Sequence, residues 1–379
     1  MIPGRTELAD DKTRRRRRRA VTAAEIIEFL EYLAPPGLAV PDEPYGLQVG
    51  ALTAPVRCIV VAPLASFDAL STAASRRNSL LITAAPLIRE PMPAVRRDNP
   101  VGAKIAYLVE HRICLYSLAN TYAAAPGGFD DSLAERLGLA ATSALLPTNY
   151  EPQFKMAVYV PEEALDRVHQ AAAEAGAGRI GNYSHCSFQT RGTGTFLPRE
   201  GASPVVGDVG RLERVNEVRL EMLVPQRELQ GVIAAVLHAH PYEEVAYDVY
   251  PLRNPGVLYG RGRAGELPLK VSLDTVLAQV QDALGVESIR CSHRPDFPIG
   301  SLAVASGVSD GLLWQAMRAG AGAFVVGSAS LEDLMLADGS TTVLIDVGFP
   351  KSVTPGLSRL SAQLRGTFEG DGIEIVFCP

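Results

Sequence analysis

Two hydrophobic patterns alternate along most of the chain. Short, largely apolar and often β-branched runs at 57–62, 79–83 and 113–117 predict buried strands, and segments with helical spacing at 66–76 and 101–111 separate them. The same alternation returns after residue 269, with helices predicted at 269–284, 310–319 and 355–364 and strands at 302–305, 323–326 and 342–346. Alternating strands and helices of this kind predict an α/β fold with a mostly parallel sheet and helices on its faces.

The middle of the chain follows a different pattern. Strands are predicted at 154–160, 215–224 and 246–252 and helices at 161–175 and 228–239, with glycine-rich turns between 176 and 210. A β-α-β-β-α-β order of this length is typical of a ferredoxin-like α+β module. Residues 254–267, rich in Gly, Arg and Pro, are interpreted as a linker. We therefore predict a discontinuous α/β core, 21–152 and 254–379, split by an inserted module, 153–253.

The first twenty residues lack any apolar period and contain the run Arg14 to Arg19, so 1–20 is predicted to be a disordered basic tail. Regular structure is predicted from Thr22, which forms a capping-box pattern with Glu25 at the start of a helix. The arginine run could contact nucleic acid, acidic lipid or an acidic partner. A solvated, non-specific extension is the default interpretation.

Composition narrows the class of protein. The chain has 47% apolar and 21% charged residues, which is ordinary for a soluble protein, and 379 residues suffice for two or three domains. The net charge is −6; residues 1–20 hold eight basic and three acidic residues, so the rest carries −11, which argues against a general nucleic-acid surface. Five scattered cysteines without a C-x-x-C pair, no membrane-length apolar stretch and no signal-peptide pattern indicate a cytoplasmic protein.

Several segments resemble a known family, and the longest of them lie in the insert. Residues 176–188 read Gly-Ala-Gly-Arg-Ile-Gly-Asn-Tyr-Ser-His-Cys-Ser-Phe, and 239–244 read Ala-His-Pro-Tyr-Glu-Glu; in the core, 45–50 read Tyr-Gly-Leu-Gln-Val-Gly and 125–131 read Ala-Pro-Gly-Gly-Phe-Asp-Asp. Together they resemble the Nif-three-like proteins, or GTP cyclohydrolase I type 2 homologs, in the long bacterial form with a PII-like insert. The resemblance implies a closed homo-oligomer and, in relatives, two divalent metal ions.

The resemblance also implies where metal ligands would stand: His-His-Pro, His-x-x-x-Asp and His-x-x-x-Glu, each expected where a β-run ends in a loop. The flanking residues 81–83, 86–88 and 127–128 keep the register, but the ligands are replaced. We call these the six substituted positions: Ala84, Ala85, Ala119, Ala123, Phe349 and Val353. None of these side chains has a donor atom for a metal, so no bound metal cofactor is expected.

Other candidate residues have ordinary alternatives. In the insert, His185, His238, His240, Glu243 and Glu244 could form a second metal or acid–base site, although residues at a helix end before Pro241 commonly hydrogen-bond loop backbone. Cys186 beside His185 is interpreted as a packed thiol rather than a nucleophile. In the core, Asp130, Asp131, Glu332 and Asp346 could weakly hold a hard cation, but a helix N-cap and turn residues are the simpler interpretation. The glycine-rich turns fit no phosphate-binding fingerprint.

Three hypotheses for function remain open. The first is a non-catalytic binding, scaffold or regulatory protein that acts through its insert, with a protein partner or small ligand. The second is a metal-dependent hydrolase of the family type with unidentified replacement ligands. The third is regulation of an intact partner copy by mixed assembly.

Overall fold

The computed structural model describes residues 20–201 and 207–379. Of the predicted basic tail, 1–20, all but residue 20 lies outside the described residues. The chain divides into two compact units: one runs up to Pro147 and resumes at Gly260, and the other is Thr148–Tyr259. The predicted insert, 153–253, falls within the second unit and is a few residues shorter at each end.

The secondary-structure elements alternate as follows along the described residues. The strands are β1 Gly46–Val49, β2 Cys58–Ala62, β3 Ser79–Thr83, β4 Cys114–Ser117, β5 Ala140–Tyr150, β6 Gln153–Pro161, β7 Ser187–Phe196, β8 Glu213–Pro225, β9 Tyr247–Leu252, β10 Leu258–Val271, β11 Arg290–Cys291, β12 Ile299–Val308, β13 Ala323–Ser328, β14 Val343–Asp346 and β15 Glu374–Phe377. The helices are α1 Ala23–Leu33, α2 Phe67–Ala74, α3 Pro100–Glu110, α4 Ala119–Ala124, α5 Phe129–Arg136, α6 Leu165–Glu174, α7 Leu229–Ala239, α8 Leu273–Leu284, α9 Leu312–Arg318, α10 Leu331–Ala337 and α11 Phe349–Phe368.

The first unit contains a five-stranded sheet in the order β1-β4-β3-β2-β15. Its central strands pair in parallel, and only β1 runs antiparallel to its neighbour β4. Every residue of β2, β3 and β4 is buried, as expected for parallel strands that have both faces covered. The predicted capping box of α1 is confirmed, because Thr22 Oγ1 accepts from the Glu25 N–H while the Glu25 carboxylate accepts from the Thr22 N–H.

A six-stranded sheet, β11-β14-β13-β12-β10-β5, completes the first unit. Strands β12, β13 and β14 pair in parallel, and β10 runs antiparallel to β12. The predicted linker at 254–267 is wrong, because β10 occupies most of it. Gly260 and Gly262 let β10 come very close to β5: a Cβ at Gly260 would lie 2.7 Å from the Leu146 carbonyl oxygen. The glycines that indicated a linker are therefore packing requirements of a strand.

The last helix, α11, is longer than predicted. The pattern predicts the last helix over 355–364, but α11 begins at Phe349 and Pro355 lies inside it. The helix packs on α5 through Gly356, where the backbone approaches Phe129 closely. Phe349 and Val353 consequently stand in a helix, and not in the loop that was predicted.

The second unit is an antiparallel sheet in the order β7-β8-β6-β9. Its β-α-β-β-α-β order agrees with the predicted ferredoxin-like module. Alternate residues of β6 and β8 pack with α6 and α7 in one core; its members include Met156, Val160, Leu220, Val224, Val168 and Val232. Strand β7 was missed because two glycines break its pattern. A Cβ at Gly194 would lie 2.2 Å from a Glu217 carboxylate oxygen, so a larger residue there would displace the Glu217 side chain.

Across residues 20–201 and 207–379, no helix combines the length and the apolar character needed to span a membrane.

The α5–α11 contact gives a first prediction. A Cβ at Gly356 would lie 2.6 Å from Phe129 Cδ1 and 2.9 Å from its Cα, so Gly356→Ala should lower the free energy of unfolding by about 2–3 kcal/mol through overpacking. The matched control is Gly366→Ala in the same helix, where a Cβ would meet nothing within 4 Å and helix propensity should add up to about 1 kcal/mol. Urea denaturation measures both, and equal effects would contradict this packing.

Candidate functional site

The first three substituted positions lie where β3 and β4 end. The pairing of these strands continues beyond β3, because the Leu118 N–H donates to the Thr83 carbonyl (2.9 Å) and the Ala119 N–H donates to the Ala84 carbonyl (3.0 Å). Ala84 and Ala119 are buried, with 3% and 6% exposure, and Ala85 is partly buried. Ala84 and Ala119 are thus direct neighbours, as the ligands of one centre would have to be.

Ala119 also has an unusual backbone. Its φ is +48°, in the left-handed region that alanine rarely adopts, and it is the first residue of α4. The strand pairing carries the chain as far as Ala119, so the reversal into α4 has to be made at this residue. Ala123 follows one turn later and is buried. A strained conformation is therefore kept at a substituted position.

Phe349 and Val353 occupy the first turns of α11. Val353 is 1% exposed, and Phe349 lies with its Cε2 atom 3.4 Å from the position that a Cβ at Gly307 would take. Between them, Ser352 Oγ accepts from the Gly307 N–H (3.1 Å) and donates to the Phe349 carbonyl (2.8 Å). These contacts fix the start of α11 on the end of β12.

Aromatic contacts connect α4 to α11 within the first unit. The rings of Tyr122 and Phe129 meet edge to face, with centroids 4.8 Å apart, and Phe129 packs on Gly356. The Tyr122 hydroxyl donates to Gln363 Oε1 (3.3 Å), which is also on α11. The segments that carry the six substituted positions are therefore joined by packing.

The acidic candidates in the core are occupied by hydrogen bonds. Asp130, 1% exposed, accepts from the Gly262 N–H (2.6 Å) and from both the N–H (2.7 Å) and hydroxyl (2.5 Å) of Ser306. Burial raises the pKa of this carboxyl, and the bonds from Ser306 oppose that rise. Asp131 accepts from the Gly127 N–H and pairs with Arg263. Asp346 accepts from two backbone N–H groups, those of Ala329 and Gly348.

The donor set does not fit a dinuclear metal centre. A methyl, phenyl or isopropyl group offers no lone pair, and the acidic side chains just described are held by other donors. Glu332 is exposed on α10. Within residues 20–201 and 207–379, no three His, Cys, Asp or Glu side chains come together in a way that could hold an ion.

Two polar residues near these positions escaped the sequence reasoning. Gln48 holds the segment after Pro86: its Oε1 accepts from the Leu87 and Ile88 N–H groups, and its Nε2 donates to the Ile88 carbonyl. Ser117, beside Thr83 in the β3–β4 pairing, has a buried Oγ with no hydrogen-bond partner among the described residues. Gln48 lies inside the motif 45–50, and its place in that motif could have indicated a role. Ser117 ends a buried strand, and nothing in the sequence distinguishes it from an ordinary strand residue.

In the second unit, His240 is engaged with backbone on both ring nitrogens. Its Nδ1 accepts from the Tyr242 N–H (3.1 Å), so its Nε2 carries the proton and donates to the Tyr159 carbonyl (3.0 Å). His238, Glu243 and Glu244 are exposed. The predicted group therefore contains one buried, neutral histidine that fastens the end of α7 to β6.

His185 and Cys186 lie in the turn before β7. His185 has a φ of +60°, its Nδ1 is 3.0 Å from Ser184 Oγ, and its carbonyl oxygen is 3.0 Å from His169 Nε2. Cys186 is half-buried and its thiol points to the Ser184 carbonyl. No carboxylate or amide is bonded to His185 in the described hydrogen bonds, so a nucleophile–base pair lacks its orienting group.

Comparison with known proteins defines the class. Residues 21–379 match the model of the family Duf34/NIF3 (NGG1p interacting factor 3), and the chain belongs to this family. It is similar to the proteins named "GTP cyclohydrolase 1 type 2 homolog" of Bacillus subtilis (strain 168), with 37% identity over 82% of this chain and 83% of that protein, and of Mycobacterium tuberculosis (strain ATCC 25618 / H37Rv), with 34% identity over 95% of each.

A solved structure shows the same fold. The crystal structure of a Bacillus cereus protein related to NIF3 superposes with a TM-score of 0.83 at 34% identity, covering 95% of this chain and 97% of that one. A Staphylococcus aureus protein, SA1388, superposes with a TM-score of 0.64 at 22% identity, covering 95% and 96%, and supports the fold alone. The resemblance noted in the sequence and the predicted α/β class are confirmed.

The left-handed residue gives a second prediction. Ala119→Gly removes backbone strain of about 1–2 kcal/mol while losing one buried methyl, so its free energy of unfolding should stay within about 1 kcal/mol of the native value. Ala123→Gly, in the same helix and equally buried, should lose about 1–2 kcal/mol because it only adds backbone freedom and removes a methyl. Denaturant titration compares them. An Ala119→Gly protein as unstable as the Ala123→Gly protein would contradict the strained turn.

His240 gives a third prediction, on pH. Burial lowers its pKa below the usual value, so the folded protein binds fewer protons than the unfolded chain as pH falls below about 6.5. The stability that this group provides is present above about pH 6.5 and is lost as pH falls through the folded-state pKa. Between about pH 7.5 and pH 5, His240→Gln should therefore lose less stability than the native protein, while the exposed control His238→Gln should follow the native slope. If the free energy of unfolding changed equally with pH in the native protein and in both variants, the lowered pKa of His240 would be refuted.

Proposed function

We propose that this chain is a non-catalytic member of the Duf34/NIF3 family that serves as a binding, scaffold or regulatory protein. The observation that carries the proposal is the replacement of all six expected ligand positions by Ala, Phe and Val. A dinuclear hydrolase needs ligands that hold two ions and generate a nucleophilic hydroxide, and these side chains supply none.

Burial supports the proposal. Ala84, Ala119, Ala123 and Val353 are core residues, packed as firmly as the strands around them. An ion moved into this environment without ligands would lose hydration with no compensation, which costs far more than any packing gain. Replacement ligands would have to come from the neighbouring acids, and those already accept hydrogen bonds from other residues.

The binding role rests on the surface of the second unit. Ile180 and Tyr183 exchange two backbone hydrogen bonds of 3.0 Å across a tight turn, which places their side chains at one edge. Ile180, Tyr183 and nearby Phe188 are 55%, 75% and 66% exposed. Apolar side chains this exposed, in a segment of the family motif, favour contact with a partner over a role in the core. The proposal includes a homo-oligomer, the predicted insert boundaries and a cytoplasmic location.

The metal content of the purified protein tests the proposal. Tag-free protein, incubated with zinc, manganese or iron and then dialysed, should carry less than about 0.1 equivalent per chain by inductively coupled plasma mass spectrometry. About two equivalents that resist dialysis would overturn the proposal and favour a metal-dependent hydrolase with other ligands.

A restored variant is the matched control. It combines Ala84→His, Ala85→His, Ala119→His, Ala123→Asp, Phe349→His and Val353→Glu. Where circular dichroism shows that it folds, it should gain metal under the same conditions, because only the six substituted positions differ. Metal uptake by both proteins to the same level would place any bound ion elsewhere in the molecule.

A further inference from the structure

A cleft of about 680 Å³ opens on the first unit between α5, the end of α8 and α11. We call it the α8 cleft. Its charged lining residues come from all three helices: Glu135, Arg136, Asp282, Lys351 and Arg359. The residues lining it include none of the six substituted positions, and its volume is in the range of small-molecule sites.

Two of the charged residues neutralise each other. Arg359 pairs with Glu135 through Nη2, and its Nη1 donates to the Gly127 carbonyl (3.2 Å). This pair is a fixed part of the wall. The charges that remain for a ligand are the cations of Arg136 and Lys351 and the carboxylate of Asp282.

Both cations are held at the same end of α8. Arg136 Nε donates to the Ala283 carbonyl (2.7 Å), which anchors the guanidinium, and Arg136 lines the cleft. The Lys351 amine lies 4.0 Å from the position that a Cβ at Gly285 would take. Lys351 has no ion-pair partner in the part of the chain that the structure describes.

The end of α8 does not balance these charges. The carbonyl end of a helix carries about half a negative charge, whereas two full positive charges face it. Asp282 is exposed and forms no ion pair within the described residues. With Asp282 counted as well, the cleft lining keeps a small excess of positive charge, which favours an anion bound by Arg136 and Lys351, and Asp282 can accept a hydrogen bond from a donor group on the same ligand.

We propose that the α8 cleft binds a small organic phosphate that also carries hydroxyl groups. A phosphate monoester bears a charge of about −1.5 to −2 and is attracted by the two cations, and a guanidinium binds phosphate oxygens through two N–H groups. The hydroxyls of the ligand donate to Asp282, and the exposed Ser358 hydroxyl lines the same wall. The cleft lining contains none of the six substituted positions, so this proposal does not depend on whether the protein binds metal ions.

Isothermal titration of the full-length protein tests the proposal, at constant ionic strength, with glucose 6-phosphate, inorganic phosphate and glucose as probes. Both phosphates should bind and glucose should not. Lys351→Gln should weaken both by on the order of tenfold or more, whereas Arg318→Gln, an exposed arginine of α9 outside the cleft, should change neither.

A variant of the acid separates a ligand site from a structural cluster. Asp282→Asn removes a negative charge, so it should tighten inorganic phosphate while reducing the preference for glucose 6-phosphate. An Asp282 that does not contact the ligand would change both affinities equally and leave the preference for glucose 6-phosphate as it is in the native protein. Absence of binding by both phosphates at about 10 mM, or equal affinities in the Lys351→Gln and Arg318→Gln variants, would overturn the proposal.

Discussion

The buried carboxylate of Asp130 is the interaction on which the first unit depends most. It brings three hydrogen-bond donors, from β10 and β12, onto the first turn of α5. A carboxylate buried without such donors would cost several kcal/mol, so the fold of β10 and the position of α5 have to form together. On either side of it, Phe129 packs on α11 and Asp131 pairs with Arg263. Phe129, Asp130 and Asp131 thus join α5 to the six-stranded sheet and to α11.

The close turn before α5 is part of the same constraint. A Cβ at Gly128 would lie 1.7 Å from the Tyr122 carbonyl oxygen, so only glycine lets the chain pass α4 and deliver Asp130 to its donors. This geometry gives the glycine and acidic residues of the motif 125–131 structural roles. The predicted role of the Asp pair as a helix N-cap is wrong, because the N-cap of α5 is Gly128 and both Asp residues lie inside the helix. Asp130 instead accepts hydrogen bonds from β10 and β12.

The sequence predicted elements well where local pattern and tertiary context agree. Strand β3 matches its predicted range because five consecutive apolar or small residues are all buried, and the capping box placed the start of α1. Prediction failed where packing outweighs local preference: β10 is rich in glycine and arginine, and α11 contains a proline. At the candidate site, the amino-acid sequence alone shows that the six substituted positions have no side-chain atoms that could bind a metal ion. The sequence cannot reveal the left-handed backbone of Ala119 or the three hydrogen bonds of Gln48, since both depend on neighbours distant in sequence.

The two ends of the second unit meet each other. Glu151, just after its first residues, donates its N–H to the carbonyl of Val257, just before its last, at 2.9 Å. The strands that lead into and out of it, β5 and β10, are neighbours in one sheet. A segment whose entry and exit lie side by side can be gained or excised by joining two adjacent strands with a short hairpin. A short turn from β5 to β10 could therefore replace the second unit and leave the six-stranded sheet of the first unit with all its strands.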